Sequence, residues 1–480
     1  MEPLEIKDII LNLETSYDIS TWRSKGVDCW PVIRQSIANQ LAHKKITSKK
    51  AALHKRNAWQ IWKDYRHAAQ RLKKVGRVDQ LFLANQIYRS ELHGVSWNRF
   101  CDPLMNAIAE KHGKRSILIE ESKTDAFIKN GHQEERLFAI DPILDWLAFK
   151  RLWLKRLRIV RRPKVPFINE LNEAFEKIEA QTGKKLKVKK AINEIERLTL
   201  YTPVAERILR KLKPDKVHIV CYYGTWAMAM IYVARKMDVA SSDIQHGVIN
   251  ELHLMYSHWS TMNRNGFNVL PNTFFTWSSY DQKVIETWTK NSEVHQAIRL
   301  GNPWLQIFKE KLSASTTDWK SYDQSKPLIL YTLANRDDIF FDALVEFVKK
   351  AKDQYNLWFR LHPRQLPFKE EVLGRLNELG ILDMINIEEA TNLPLPEILA
   401  KTSLHITLIS SVVIEAMHFD IPSLIVGELG EQYYKMYEET GLAYFASFEQ
   451  FEERVDYLLK LKQKSGWESY DLETMAAKIL

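Results

Sequence analysis

Cysteine is scarce in this chain: Cys29, Cys101 and Cys221 are the only three among 480 residues, with no CxxC spacing and no histidine at metal-ligand spacing. A disulfide framework and a structural zinc are excluded, and a reducing compartment is expected. No apolar run approaches the roughly 20 residues that span a bilayer. The first residues, MEPLEIKDIILNLETSYDIS, begin acidic rather than basic and then apolar. Neither signal peptide nor transmembrane helix is therefore expected, and the location follows as cytoplasmic. Missing too are a Walker lysine loop and a GxGxxG fingerprint, which leaves P-loop phosphoryl transfer and ordinary dinucleotide binding without support.

What is present is enough for two or three ordered domains, with 45% hydrophobic residues. The formal net charge of +9 is concentrated in two segments, residues 43–77 and 149–164. Both interleave Trp, Leu and Ile with Lys and Arg at helical spacing, as helices on an anionic membrane surface do. The same pattern serves nucleic acid or an acidic polymer, and one basic helix is most often plain solvated surface. Two in one N-terminal third favour a peripheral place on the inner face of the cytoplasmic membrane; no nucleic-acid partner is expected.

Residues 1–78 read as a basic helical region. From QLFLAN at 80–85 onward, apolar runs alternate with helical patterns, as in parallel sheets covered by helices. Residues 79–310 form one Rossmann-like domain, expected to hold the acceptor, with a helical insertion at about 141–212. A polar stretch separates it from residues 325–465, a second Rossmann-like domain expected to hold a nucleotide donor, built from LILYTL, LWFRLHP, INIEE, LHITL and PSLIVGE with helices between them. Residues 466–480 are a C-terminal helix or tail.

In open α/β sheets ligands sit beyond the carboxyl ends of strands, and three motifs fall there. RLHPR places His362 and Pro363 at a strand end, flanked by Arg360 and Arg364. LISS lets Ser410 and Ser411 open a helix whose positive end suits an anion, although serine is also simply a good helix cap. Glu415, one turn on, is placed to accept ribose hydroxyls. DIQHG places His246 at a third strand end, with Asp243 and Glu251 as substitute carboxylates and Gln245 and Gly247 beside it. His246 suits two roles, as base for an acceptor hydroxyl or as a contact without proton transfer. In the polar segment 88–103, Arg89, His93, Asn98 and Arg99 are candidates for holding an acceptor or a donor carboxylate. Asp337 and Asp338 do not make a metal site by spacing alone, since they precede a helix whose dipole favours carboxylates. No metal or cofactor is expected.

The pairs His362-Pro363 and Ser410-Ser411 resemble the HP and SS motifs of GT-B families using cytidine nucleotides (bacterial sialyltransferases, Kdo transferases and CDP-glycerol glycerophosphotransferases), and LGNPW at 300–304 resembles the strand-end GxP that precedes the interdomain hinge in such enzymes. The resemblance covers roughly residues 216–445. It implies an α/β, GT-B-like fold, with two Rossmann-like domains facing a cleft, and a phosphate grip at the HP and SS residues. It also implies a surface-polysaccharide glycosyltransferase using a nucleotide-sugar donor, a CMP-sugar by preference, and a glycan or lipid-linked acceptor, with inversion. Transfer of a polyol phosphate from a CDP-alditol is the alternative, and a non-catalytic binder of anionic polymer a second one. QHG departs from the acidic pair before glycine in the sialyltransferases, which leaves the base open.

Overall fold

A computed structural model gives the structure of the chain, described for all residues except 43–56, 93, 122–135, 158–164, 260–263, 312–318, 320, 335–338 and 462–469. The chain divides into two compact units, Met1–Pro303 with Leu472–Leu480, and Trp304–Asp471. Each is an α/β unit with a parallel sheet, as the sequence pattern implies.

The first unit begins with helices α1 (Pro3–Ser16), α2 (Trp30–Leu41) and α3 (Ala58–Lys74), with a two-stranded turn of β1 (Arg23–Ser24) and β2 (Val27–Asp28) between the first two. Asn57 caps α3 by accepting the Gln60 N–H while the Gln60 side chain accepts that of Asn57, which satisfies two donors at the helix start. The strands follow as β3 (Gln80–Asn85), a hairpin of β4 (Arg89–Leu92) and β5 (Val95–Asn98), then β6 (Ser116–Glu121), β7 (Leu137–Ala139), β8 (Lys216–Val220), β9 (Ala240–Ile244), β10 (Thr273–Thr276) and β11 (Gln296–Arg299). Helix α4 (Asp102–His112) links the hairpin to β6. The helical insertion lies between β7 and β8 as α5 (Asp141–Arg156), α6 (Ile168–Thr182) and α7 (Val188–Leu212); α8 (Thr225–Lys236) and α9 (Ser279–Thr289) complete the crossovers.

The seven-stranded sheet has the order β11-β10-β9-β8-β3-β6-β7, with every pair parallel. Sheets covered on both faces need apolar residues at successive positions, and β3 and β6 are buried along almost their full length. The chain runs outward from β3 through β6 to β7, then returns to place β8 on the other side of β3. The order therefore reverses between β3 and β8.

Helix α10 (Pro303–Lys311) leads into the second unit, built from β12 (Leu328–Thr332), α11 (Asp342–Ala351), β13 (Asn356–Arg360), α12 (Lys369–Glu378), α13 (Glu388–Asn392), α14 (Leu395–Leu399), β14 (Thr402–Thr407), α15 (Val412–His418), β15 (Ser423–Val426), α16 (Glu428–Tyr434), β16 (Ala443–Ala446) and α17 (Phe451–Lys460). Its parallel sheet has the order β13-β12-β14-β15-β16, reversing between β12 and β14. The INIEE segment forms no strand of this sheet. Asn386 makes a single bridge to Trp358, and its side chain accepts from the Glu389 N–H while donating to the Glu389 carboxylate, which starts α13 instead. The last helix, α18 (Leu472–Ile479), belongs to the first unit, where Lys478 donates to the Arg299 carbonyl.

A buried histidine cross-links each sheet beside its reversal. On β8, His218 pairs with Ser242 of β9 and Gln80 of β3, both at 2.8 Å. On β14, His405 pairs with Thr332 of β12 at 2.8 Å and Ser423 of β15 at 2.9 Å. Burial pushes each ring down to about 3, so both are neutral and can donate with one nitrogen and accept with the other. Replacing His218 or His405 by leucine leaves two buried polar partners unsatisfied and is expected to destabilise its unit by about 1–3 kcal/mol. Urea unfolding of the variants measures this, and an unchanged midpoint would refute it.

Candidate functional site

The reversal point of the first sheet gathers side chains from the ends of several strands. After β8 the chain turns sharply at Cys221, whose φ of +70° lies in the left-handed region. Tyr222 and Tyr223 follow it. Burial raises the Cys221 thiol to about 12, so it stays protonated and offers no nucleophile. The end of β9 supplies Asp243 and His246, the segment after β3 supplies Tyr88, and the β9–β10 connection supplies His253 and Tyr256. The His246 ring lies 5.3 Å from the Tyr88 ring, 5.8 Å from Tyr223 and 6.4 Å from Tyr256, centroid to centroid.

Asp243 is 1% exposed. One of its oxygens accepts the Tyr222 N–H at 2.9 Å, and the other accepts the Tyr256 hydroxyl at 2.7 Å. Burial nevertheless pushes its carboxyl up to about 7, against the pull of those hydrogen bonds. His246 has Tyr223 Oη 3.1 Å from Nε2 and Tyr256 Oη at a long 3.5 Å from Nδ1. Burial, then the neighbouring His253 and Arg99, push the imidazole down to about 3. With the Tyr256 proton given to ionised Asp243, the Tyr256 oxygen is left to accept. The ring proton of His246 is then on Nδ1, and Nε2 is the basic atom. A relay Asp243–Tyr256–His246 results, with Tyr223 against the basic nitrogen.

Several expected ligand groups are engaged within the protein. Arg89 donates through Nε to both oxygens of buried Glu120, at 3.1 and 2.9 Å, and through Nη1 to the Ser96 carbonyl. Asn98 is fully buried and also donates to Glu120, at 2.9 Å. These two residues brace the β4–β5 hairpin against β6. Gln245 is likewise internal: it donates to the Gly247 carbonyl and accepts from the Trp277 N–H, tying the ends of β9 and β10. Gly247 has open space where a Cβ would lie. Asp243 is an inner relay member, buried too deeply to meet an acceptor directly. Glu251 is exposed, and its backbone carbonyl accepts from Ser257 within the same loop. Arg99, half-buried, donates to the Tyr88 carbonyl and stands close enough to depress His246. His93, Asp337 and Asp338 lie outside the described residues.

In the second unit, the loops after β13 and β14 emerge on either side of β12, at the carboxyl end where the order reverses. Strand spacing puts these two ends about 10 Å apart. His362 Nδ1 accepts the Arg364 N–H at 3.1 Å, so the ring proton of this neutral histidine sits on Nε2, which is a donor. Gln365 holds the loop by donating to the Ala334 carbonyl at the end of β12. Ser410 and Ser411 precede α15, Ser410 half-buried and Ser411 exposed, with Glu415 half-buried one turn on. Helix α16 lies so close that a Cβ on Gly430 would stand 2.2 Å from the Leu408 carbonyl oxygen, which fixes the Ser410 loop. Arg364 and Pro363 are exposed. Arg360 is turned inward, where its guanidinium donates to the Ala390 and Leu393 carbonyls. A hollow of about 540 Å³ opens beside β15 and β16, lined by Gly427, Glu428, Glu431, Lys435, Tyr444 and Arg454 among others.

Tyr88, Tyr223, Tyr256 and His253 escaped the sequence reading. The available signal was CYYG, two aromatics and a glycine directly after an apolar strand. Among the described residues no group of three or more His, Cys, Asp or Glu is placed to hold a metal ion, and no helix is long and apolar enough to cross a membrane.

No family model and no curated protein matches the chain. Among solved structures it is similar to UDP-GlcNAc 2-epimerase from Methanocaldococcus jannaschii, in complex with UDP-GlcNAc and UDP, at 13% identity and TM-score 0.46, over 84% of this chain and 98% of that one. It is similar to the Neisseria meningitidis enzyme bound to UDP-GlcNAc at 14% identity and TM-score 0.47, over 83% and 98%. A glycotransferase of kitacinnamycin gives 10% and 0.45, over 80% and 91%. These are distant likenesses, and the fold is read from the sheets themselves.

Asp243→Asn tests the relay. The new amide donates to the Tyr256 oxygen, so Tyr256 must donate to Nδ1 of His246, and the ring proton moves to Nε2. Nitrogen-15 spectra of histidine-labelled protein, with His246→Gln to assign the signal, are expected to show Nδ1–H at pH 8 in wild type and Nε2–H in the variant. Stability gives a second readout. A carboxyl raised from 3.8 to about 7 stabilises the fold when protonated, so its contribution falls as pH rises between those values, by on the order of 1.4 kcal/mol per pH unit. Wild type minus variant carries that negative slope; a flat difference would refute the buried carboxyl.

Proposed function

We propose that this chain is a glycosyltransferase that moves a sugar from a nucleotide-activated donor to an acceptor hydroxyl by direct, inverting displacement. A CMP-sugar is the donor favoured by the HP and SS resemblance, and a surface-polysaccharide or lipid-linked glycan the acceptor. The supporting observation is the placement of chemistry at both sheet reversals, where open α/β sheets take ligands. One reversal bears the His246 relay; the other bears Ser410 and Ser411, with His362 one strand away.

In this reading the second unit holds the donor phosphate. His362 donates from Nε2, and the Ser410 and Ser411 hydroxyls add further donors where negative charge grows as the nucleotide leaves. The first unit receives the proton. An acceptor hydroxyl gives it to His246 Nε2, directly or through Tyr223 Oη, and ionised Asp243 favours the resulting imidazolium through Tyr256. An imidazole held at about 3 is a weak base in the resting site, so the carboxylate behind Tyr256 is needed as the charge forms.

Thermal-shift titration with CMP, CDP, UDP and GDP is the first test, since a ligand selective for the folded state raises its melting temperature. CMP is expected to give the largest rise, removed by His362→Ala and by the double change Ser410→Ala, Ser411→Ala. No response to any nucleotide would defeat the reading. With the donor identified, His246→Ala is expected to lower kcat about 10²–10⁴-fold while leaving donor Kd within a few-fold. Near wild-type turnover would remove His246 from proton transfer.

A further inference from the structure

Four of the large apolar side chains that stand well exposed belong to two helices of the first unit, Trp59 (62%), Trp62 (40%), Leu152 (68%) and Trp153 (60%), and a fifth, Leu157 (50%), lies just beyond the second. Helices α3 and α5 lie together. Tyr65 of α3 stacks on Trp146 of α5, with ring centroids 5.5 Å apart, and Arg71 near the end of α3 donates to the Leu137 carbonyl just before α5 begins. The end of one helix thus meets the beginning of the other, so the pair is antiparallel. Trp59 lies six residues before Tyr65 and Leu152 six residues after Trp146, and at 1.5 Å per residue both stand about 9 Å along the pair in the same direction. The exposed tryptophans and leucines therefore gather at one end of the pair.

Cations accompany them. On α3, Lys63 lies over the Trp59 ring and Arg66 over the Trp62 ring, at 5.3 and 5.1 Å. On α5, Lys150 and Arg156 are exposed, while Arg151 and Lys155 are turned inward to Glu196, at 3.0 and 2.7 Å. Asp64 is the only acidic residue in 59–66 and 149–157 together. Along α3 the exposed positions 59, 62, 63 and 66 share one face, and the buried Ala68 and Leu72 lie on the opposite one with Tyr65.

We infer that this end of the α3–α5 pair docks on an anionic lipid bilayer, with Trp59, Trp62, Leu152 and Trp153 entering the headgroup region and Lys63, Arg66, Lys150 and Arg156 meeting the lipid charge. The surface joins both properties that an interface selects: indoles and leucines to insert, and cations of one sign around them. A nucleic acid would use the cations, and a single strand would also stack on indoles, but neither uses exposed leucines such as Leu152 and Leu157. The inference does not depend on the reaction proposed for the sheet ends.

Co-sedimentation with vesicles of phosphatidylcholine alone, and with phosphatidylglycerol added, tests it on the full chain. Binding is expected to the mixed vesicles only, to weaken with salt, and to shift tryptophan emission to the blue. Lys63→Gln, Arg66→Gln, Lys150→Gln and Arg156→Gln together are expected to lower partition by on the order of 10²–10³-fold. Trp59→Ser with Trp153→Ser is expected to remove most of the binding and most of the spectral shift. Both variants change exposed residues, and their circular dichroism and nucleotide thermal shift should match wild type. No wild-type binding, equal binding to both vesicles, unaltered binding by either variant, or capture of a short RNA in preference to vesicles would overturn the inference.

Discussion

Asp243 closes β9 with almost no exposure, and both of its oxygens are spoken for by groups of different elements: the Tyr222 N–H at the end of β8 and the Tyr256 hydroxyl from the long β9–β10 connection. A buried carboxylate without partners would cost several kcal/mol, so the turn at Cys221 and the placement of Tyr256 are conditions for folding as much as features of a site. The same connection is held from behind. Arg34 of α2, itself fully buried, donates to the Ser257 and His258 carbonyls, lies over the Trp259 ring at 4.1 Å and pairs with Glu14 of α1 at 3.5 Å. The N-terminal helices are therefore part of what aims Tyr256 at Asp243.

The two units solve one physical problem alike. Where the strand order reverses, two neighbouring crossovers leave in opposite directions and the strand ends part, opening a place for a ligand. Each sheet braces that point with a histidine on the strand just past the reversal, His218 or His405, held neutral by burial and bonded to both flanking strands. Side-chain bonds across three strands resist the splaying that a crevice invites.

Much of this plan was legible. QLFLAN coincides with β3 because a strand covered on both faces must be apolar at successive positions. The motifs after β9, β13 and β14 were found by their place at strand ends. What stayed hidden was partnership over distance. Arg89 and Asn98 looked like ligand groups because Glu120 stands 31 and 22 residues away. Arg360 looked like free charge because the carbonyls that take it lie at Ala390 and Leu393. The hairpin of β4 and β5 lacks clean alternation, since Arg89 and Asn98 point at the buried Glu120 carboxylate rather than at water. Tyr256 could not be paired with Asp243 from spacing alone.

Burial inverts the usual order of the two titrating groups in the relay. In water an aspartate releases its proton well before an imidazolium; here the carboxyl rests at about 7 and the imidazole at about 3. Below neutrality the proton belongs to Asp243, whose hydroxyl then donates to Tyr256, and Tyr256 donates onward to Nδ1 of His246. That leaves Nε2 protonated and unable to accept. Above neutrality Asp243 ionises, Tyr256 turns to face it, Nδ1 becomes the donor and Nε2 becomes basic. One buried carboxyl thus sets the direction of every hydrogen bond in the chain, and with it which nitrogen is offered to whatever lies beside Tyr223.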